Sequence, residues 1–274
     1  MSSNLVEIKP RRGWGSLDLD EVWEFRELLY FLVWREVKGR YRQMALGPLW
    51  IVLKPLVTMV VFTMIFGNLA KIPSDGLPYP LFSIAALLPW QLFVVAASKS
   101  AGSLVTNMSV ISKVYFPRLT VPISAAASGL VDFCMSFLVL IGMMVFYGVV
   151  PPLQVLALPL FVALAVAASL ALGLCLATLS VKFRDVSFGV EHALQVGMYL
   201  TPVVYSASMI PERWRDLYML NPMAWVVEGF RWSLFGKGQP PDWTLALSAG
   251  LVLALLLVGL ATFRRTERTI VDLK

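Results

Sequence analysis

Residues 153–181 read LQVLALPLFVALAVAASLALGLCLATLSV, a run without one Asp, Glu, Lys or Arg. A helix rises about 1.5 Å per residue, so about 20 apolar residues cross the hydrocarbon core of a bilayer. The run is continuous rather than alternating, and Leu and Ala dominate it. It therefore reads as a helix and not as a barrel strand. The whole chain has the same character. Of its 274 residues 58% are apolar and 15% are charged, and the mean hydropathy is +0.74. Soluble domains carry about 25% charged residues. A soluble fold, a disordered chain, a fibre and a small disulfide scaffold are excluded together.

Working outward from Leu153–Val181, further spans are expected at Leu49–Leu69, Leu81–Ala97, Val121–Tyr147, Phe188–Ser206 and Thr244–Phe263. The predicted fold is all-α, a polytopic membrane protein with six transmembrane helices. Leu81–Ala97 is short for a bilayer. Val121–Tyr147 and Leu153–Val181 exceed it and must tilt, kink or protrude.

Orientation follows from Lys and Arg. Seventeen of the 23 fall in the segment up to Pro48, the 98–118 and 182–187 loops and the tail after Phe263. The opposite loops hold Lys71, Arg213, Arg215, Arg231 and Lys237. Both termini are expected in the cytoplasm. The net charge of +6 reflects this bias and does not argue for nucleic-acid binding. The first 48 residues hold no apolar core with a small-residue cleavage site, so the first span is expected to serve as its own insertion signal. Cys134 and Cys175 fall within spans and read as small apolar packers.

Expected divisions are a cytoplasmic tail (1–19), an interface helix (20–48), one transmembrane domain (49–263) and a second cytoplasmic tail (264–274). Three segments are neither spans nor ordinary loops. In Asp20–Met44, Val22, Phe25, Leu29, Val33 and Val37 mark one helical face. Trp23, Tyr30, Trp34 and Tyr41 lie beside it, with charges largely opposite. That pattern predicts an amphipathic helix in the cytoplasmic interface. In 98–116, Ala101, Leu104, Met108, Ile111 and Tyr115 repeat at helical spacing, with Ser, Thr and Asn on the other faces. A short cytoplasmic helix is expected, suited either to docking a protein or to plain solvation. The third segment, 209–242, is predicted to fold on the outer side as a re-entrant helical hairpin broken at Asn221-Pro222. Its Trp residues suit an interfacial aromatic belt or a ligand platform.

Catalytic chemistry is missing from the sequence. The single His, His192, has no Cys or His at metal-ligand spacing. No nucleophile–base–acid set can be assembled. Gly236-Lys237 is the only Gly-Lys pair. A P-loop would need Gly where Arg231 stands and Ser or Thr where Gly238 stands. Within the apolar runs lie Lys54, close enough to one end to snorkel, and Asp132, nearer the middle. Buried charges are costly, so Asp132 is either a paired structural acid or part of a substrate path.

Together these stretches resemble the membrane subunit of ABC-2 type transporters, and within them the polysaccharide exporters of bacterial envelopes. The resemblance is carried by Arg40-Tyr41-Arg42 through Leu46-Gly47-Pro48-Leu49-Trp50, by Leu88-Pro89-Trp90, and by Lys113-Val114-Tyr115-Phe116-Pro117-Arg118. Val131-Asp132-Phe133, Phe183-Arg184-Asp185, and Asn221-Pro222-Met223 through Glu228-Gly229-Phe230-Arg231 complete it. It runs from about Tyr30 to the C-terminus.

The resemblance implies a non-enzymatic permease subunit that pairs as a homodimer and docks two copies of a separate ABC ATPase. That partner would bind ATP and Mg, leaving no cofactor in this chain and no metal site. The address implied is the cytoplasmic (inner) membrane of a bacterium, and the cargo a lipid-linked polysaccharide such as O antigen, capsule or teichoic acid. A small molecule or drug is the alternative cargo, and an ion-coupled secondary transporter a more distant reading. By the same resemblance the coupling helix would present Ser103, Asn107, Met108, Ile111, Lys113, Tyr115 and Arg118. Aromatic faces stack on sugar rings without fixing position along a polymer. Phe62, Phe66, Trp90, Phe93, Tyr199, Tyr205 and Trp225 are therefore the expected substrate path. Lys54, Asp132, Arg184, Asp185, Glu228 and Arg231 are the expected structural or intramembrane charges.

Overall fold

The computed structural model describes residues 19–41, 47, 49–111, 113 and 116–269. Among them every regular element is helical. Helices α1 (Leu19–Glu24) and α2 (Arg26–Tyr41) precede α3 (Leu49–Phe62), α4 (Tyr79–Thr106), the single turn α5 (Met108–Ile111) and α6 (Thr120–Phe146). Then come α7 (Leu158–Lys182), α8 (Arg184–Gly197), α9 (Glu212–Met219), α10 (Pro222–Phe235) and α11 (Trp243–Thr269).

Five of these stretches are long and apolar enough to cross a membrane: Leu49–Leu69, Tyr79–Thr106, Thr120–Phe146, Leu153–Lys182 and Trp243–Thr266. The expected span Phe188–Ser206 is not among them. Helix α8 ends at Gly197, a 3-10 turn covers Met198–Leu200, and Thr201 is extended (φ −122°, ψ 146°). Pro202 follows, and a residue before proline is pushed out of the helical region. The 14 residues of α8 reach roughly 21 Å at 1.5 Å each, short of the hydrocarbon core.

The expected cytoplasmic helix at 98–116 also differs. Residues 98–106 are the last turns of α4, which continues unbroken from Tyr79 to Thr106. No Gly-Pro pair interrupts that stretch. The helix stops at Asn107 (φ −101°, ψ 13°), whose side-chain amide donates to the Ser103 carbonyl at 2.9 Å. Such a local bond competes with helix continuation. Only Met108–Ile111 forms a separate turn.

Helix α4 is the centre of the bundle. It is apolar around its whole circumference, which suits a helix surrounded by protein, and Leu81, Ile84, Ala85, Ala86, Ala96, Ala97 and Leu104 are fully buried. Helices α6 and α7 pack on it, α11 lies beyond α7, and α10 leans on both α7 and α4. Small residues allow close approach. A Cβ at Gly173 of α7 would lie 2.4 Å from the Ser100 Cβ of α4. One at Gly229 of α10 would lie 2.2 Å from the Phe161 ring. The outward faces of α3, α6, α7 and α11 carry exposed Val57, Met64, Leu138, Phe146, Leu160, Leu253 and Leu257. Lipid is the solvent that such faces require.

Proline inside α3 creates a local need. Pro55 has no N–H to give the Ile51 carbonyl one turn earlier. Ser136 of α6 supplies the missing donor, its hydroxyl 3.2 Å from that carbonyl. Beyond Phe62 the helix widens into a π-turn, Thr63–Leu69, which faces Tyr79 at the start of α4.

Candidate functional site

Three polar regions stand out in the otherwise apolar bundle. The first is an open-sided cavity of about 840 Å³ bordered by α2, α3, α4, α6 and α8. Its lining combines Arg40, Lys54, Asp132, Gln91 and Gln195 with Trp50 and Trp90. Asp132 is ion-paired with Arg40, and Arg40 also donates to the Ser128 hydroxyl at 3.4 Å. Trp90 packs against Phe93 with ring centroids 5.5 Å apart and against Gly197 of α8.

The second region joins α2 to the rest. Arg35 donates to the Asn107 side-chain oxygen. Lys99 lies 3.6 Å from Glu36 and donates to Ser128 at 2.9 Å. With Arg40–Asp132 this makes three polar links spaced along one face of α2. Leu32, one turn before them, is buried, while Tyr30, Phe31 and Trp34 of α2 and Trp23 of α1 remain exposed. Of the aromatic row predicted beside the apolar face, Trp23, Tyr30 and Trp34 therefore point outward, and the Tyr41 side chain lies outside what is described.

Around α5 the expected coupling residues divide by burial. Ser103 is buried and bonded to the Ser100 carbonyl at 2.7 Å. Ile111 is buried in a small core with Leu104, Phe116 and Phe263. Asn107 is occupied by Arg35, Met108 packs on that core, and Arg118 is half-buried. Lys113 is exposed, as are Val105, Thr106 and Ser109. Tyr115 lies outside the described residues. Arg184 and Asp185 open α8, with Asp185 exposed in its first turn, where a negative charge is favoured by the helix dipole. The Arg184 side chain lies outside what is described.

The third region is at the opposite end of the bundle. Residues 201–208 leave the helix and would expose bare backbone, but side chains satisfy it. Arg231, fully buried, donates to the carbonyls of Pro202 (2.7 Å), Val203 (3.0 Å) and Tyr205 (3.4 Å). Its guanidinium also lies 3.5 Å from the Phe82 ring centroid. Glu228 pairs with it at 2.9 Å and accepts the Ala207 N–H at 3.3 Å. Tyr79 donates to the Val204 carbonyl at 2.7 Å. Asp75 accepts from Ser206 at 2.5 Å and Ser208 at 3.2 Å. Burial lowers the Arg231 pKa from its ordinary value, and the Glu228 charge opposes that fall. Burial, then the hydrogen bond with Tyr205, pushes the Tyr218 hydroxyl above the usual phenol range. Asn221 caps α10 by accepting the Met223 N–H at 3.0 Å and ties it to Thr201 at 3.1 Å.

The aromatic path expected from the sequence is not assembled as one surface. Trp90 lines the cavity. Phe62 and Phe93 are buried in the core, and Phe66 packs edge-on against Phe62. Trp225 is wholly buried, with its indole N–H bonded to Thr244 at 3.1 Å. Tyr199 is exposed, and Tyr205 bonds its carbonyl at 3.1 Å and the Tyr218 hydroxyl at 3.0 Å. The cavity's Trp50, Gln91 and Gln195 escaped sequence reasoning. They sit on three different helices, and no spacing along the chain marks them.

An all-helical bundle with several apolar spans and a polar cleft between them is the architecture of a membrane permease. The chain belongs to the ABC-2 type transporter family, whose profile matches residues 27–235. It is similar to the O-antigen export system permease protein RfbA of Myxococcus xanthus, 31% identical over 90% of this chain and 95% of the relative. RfbA of Klebsiella pneumoniae is 28% identical over 88% of this chain and 92% of its own. The polysialic acid transport protein KpsM of Escherichia coli is 22% identical over 85% and 91% respectively.

Proposed function

We propose that this chain is the permease subunit of an ATP-driven exporter that moves a lipid-linked polysaccharide across the cytoplasmic membrane. The observation that carries this reading is near full-length similarity to relatives named for O-antigen export and polysialic acid transport. O antigen, capsule and teichoic acid all fall within the class.

The working unit is a homodimer with two copies of a separate ABC ATPase, which binds ATP and Mg. The excess of Lys and Arg at the end bearing α2, α5 and the C-terminus supports placing that end in the cytoplasm. Residues 188–206 and the α9–α10 hairpin together take the place of a sixth span, with the hairpin re-entering from the outer side. The ATPase docks around α5, where Ser109 and Lys113 are exposed. Closure of the ATPases displaces this turn, and α4 carries the motion inward as a rigid rod.

Deletion of the gene tests the export reading. Loss of surface polysaccharide with accumulation of lipid-linked chains inside the cell is expected. Unchanged surface polysaccharide would overturn it. Co-purification with an ATPase encoded nearby tests the assembly.

A further inference from the structure

We infer that the cavity between α2, α3, α4, α6 and α8 is the site that receives the phosphate-linked first sugar of the lipid-borne substrate. This rests on the export reading above and assigns it a place in the molecule. Three chemistries converge on one volume of about 840 Å³, each fitting one part of a glycosyl phosphate.

The first is positive charge. Arg40 and Lys54 line the cavity with Asp132 as the one acid. Asp132 is engaged by Arg40, so the Lys54 charge is uncompensated among the described residues. Lys54 sits five residues into α3, roughly 8 Å along the helix. From there the long side chain can carry its ammonium back toward the headgroup level, where a lipid phosphate lies. An exposed ammonium at a membrane span needs an anion or water, and a phosphate supplies the first.

The second is hydrogen bonding to sugar hydroxyls. Gln91 of α4 and Gln195 of α8 both line the cavity, and neither side chain is bonded to protein among the described residues. Paired amide donors and acceptors match the rim of a pyranose. The third is aromatic surface. Trp50 and Trp90 present rings on the same lining, and such rings match the C–H face of a sugar. Leu87, Leu88, Leu92, Val94, Val95 and Phe133 make most of the remaining wall apolar, and the hydroxyls of Thr58 and Ser136, also on the lining, are spent on the Lys54 and Ile51 carbonyls. An ordinary phospholipid would use the cation but leave the amides and the deeper Trp90 without a role. The combination therefore favours a sugar phosphate on a lipid.

The test uses the full-length permease in phosphatidylcholine nanodiscs. The probe is a prenyl phosphate bearing one hexose and a photoreactive tail. Saturable labelling is expected, falling at least tenfold in Lys54→Gln and retained in Lys54→Arg. Gln91→Leu and Gln195→Leu should each weaken labelling several-fold with the hexose probe. They should leave labelling by the sugar-free prenyl phosphate unchanged. Labelling insensitive to Lys54→Gln would overturn the site. So would equal competition by phosphatidylglycerol, which would mark a general anionic-lipid site instead. If deletion abolishes surface polysaccharide while Lys54→Gln labels normally, the subsite fails and the export reading stands. If deletion leaves surface polysaccharide intact, the export reading itself fails.

Discussion

Arg231 and Glu228 meet at 2.9 Å on successive turns of α10, each only 1% exposed. The pair is shut inside protein, yet it is not isolated. The terminal nitrogens of Arg231 also donate to the carbonyls of Pro202, Val203 and Tyr205, and Glu228 takes the N–H of Ala207. Both charges serve to hold a non-helical segment of backbone.

Removing one partner leaves the other buried and uncompensated. Glu228→Gln or Arg231→Met should each cost about 3–5 kcal/mol. Urea titration of the detergent-solubilised protein, or protease cleavage within 201–242, measures this. The double variant should be less damaging than the sum of the two, because no lone charge remains.

Gly229 faces the Phe161 ring where a Cβ would lie at 2.2 Å. Gly229→Ala should destabilise by about 1–3 kcal/mol through overpacking. Combining it with Phe161→Leu should recover part of the loss. Yield of folded protein by size exclusion reports both.

Ser136 bonds the carbonyl that Pro55 leaves open. Ser136→Ala should cost about 0.6–1 kcal/mol. In a Pro55→Ala background the intrahelical bond returns, and the same change should be close to neutral. A double-mutant cycle in unfolding free energy checks the coupling.

Lys113 and Ile111 should behave oppositely, although both lie at or beside α5. Lys113 is exposed, so Lys113→Glu should preserve insertion and fold while uncoupling ATP hydrolysis from export. Ile111 is buried, so Ile111→Ala should lower stability by about 2–5 kcal/mol. ATPase assays beside thermal unfolding separate the two.

Trp225 should be replaceable by Phe with export retained and a modest loss of stability. Its ring is enclosed and its one polar bond goes to Thr244. Tyr199→Ala, at an exposed ring, should lower export without affecting stability. Pulse-chase of surface polysaccharide distinguishes them.

Much of the fold was legible because lipid imposes length and apolarity on a helix. Leu49–Leu69 coincides with a span found, and Val121–Tyr147, Leu153–Val181 and Thr244–Phe263 match others to within a few residues except where α11 runs on. Phe188–Ser206 misled because apolarity continues through Pro202 although the helix does not. What keeps that segment apolar is packing beneath the hairpin, and hydropathy does not separate protein from lipid. The 98–116 segment misled for a related reason. Its helical period was real, but a period says nothing about where α4 ends. Asp132 could be found from its depth alone. Its partner Arg40 lies 92 positions away, beyond any local pattern. The same holds for the cavity, where five helices contribute one or two polar groups each.

The three links from α2 bear on how the protein is made. Arg35, Glu36 and Arg40 leave the ribosome well before their partners Lys99, Asn107, Ser128 and Asp132. Helix α2 is therefore made before the helices that hold its partners, and its three links can close only once α4 and α6 are in place. The acid in α6 thus meets a counter-charge carried by a segment synthesised two spans earlier.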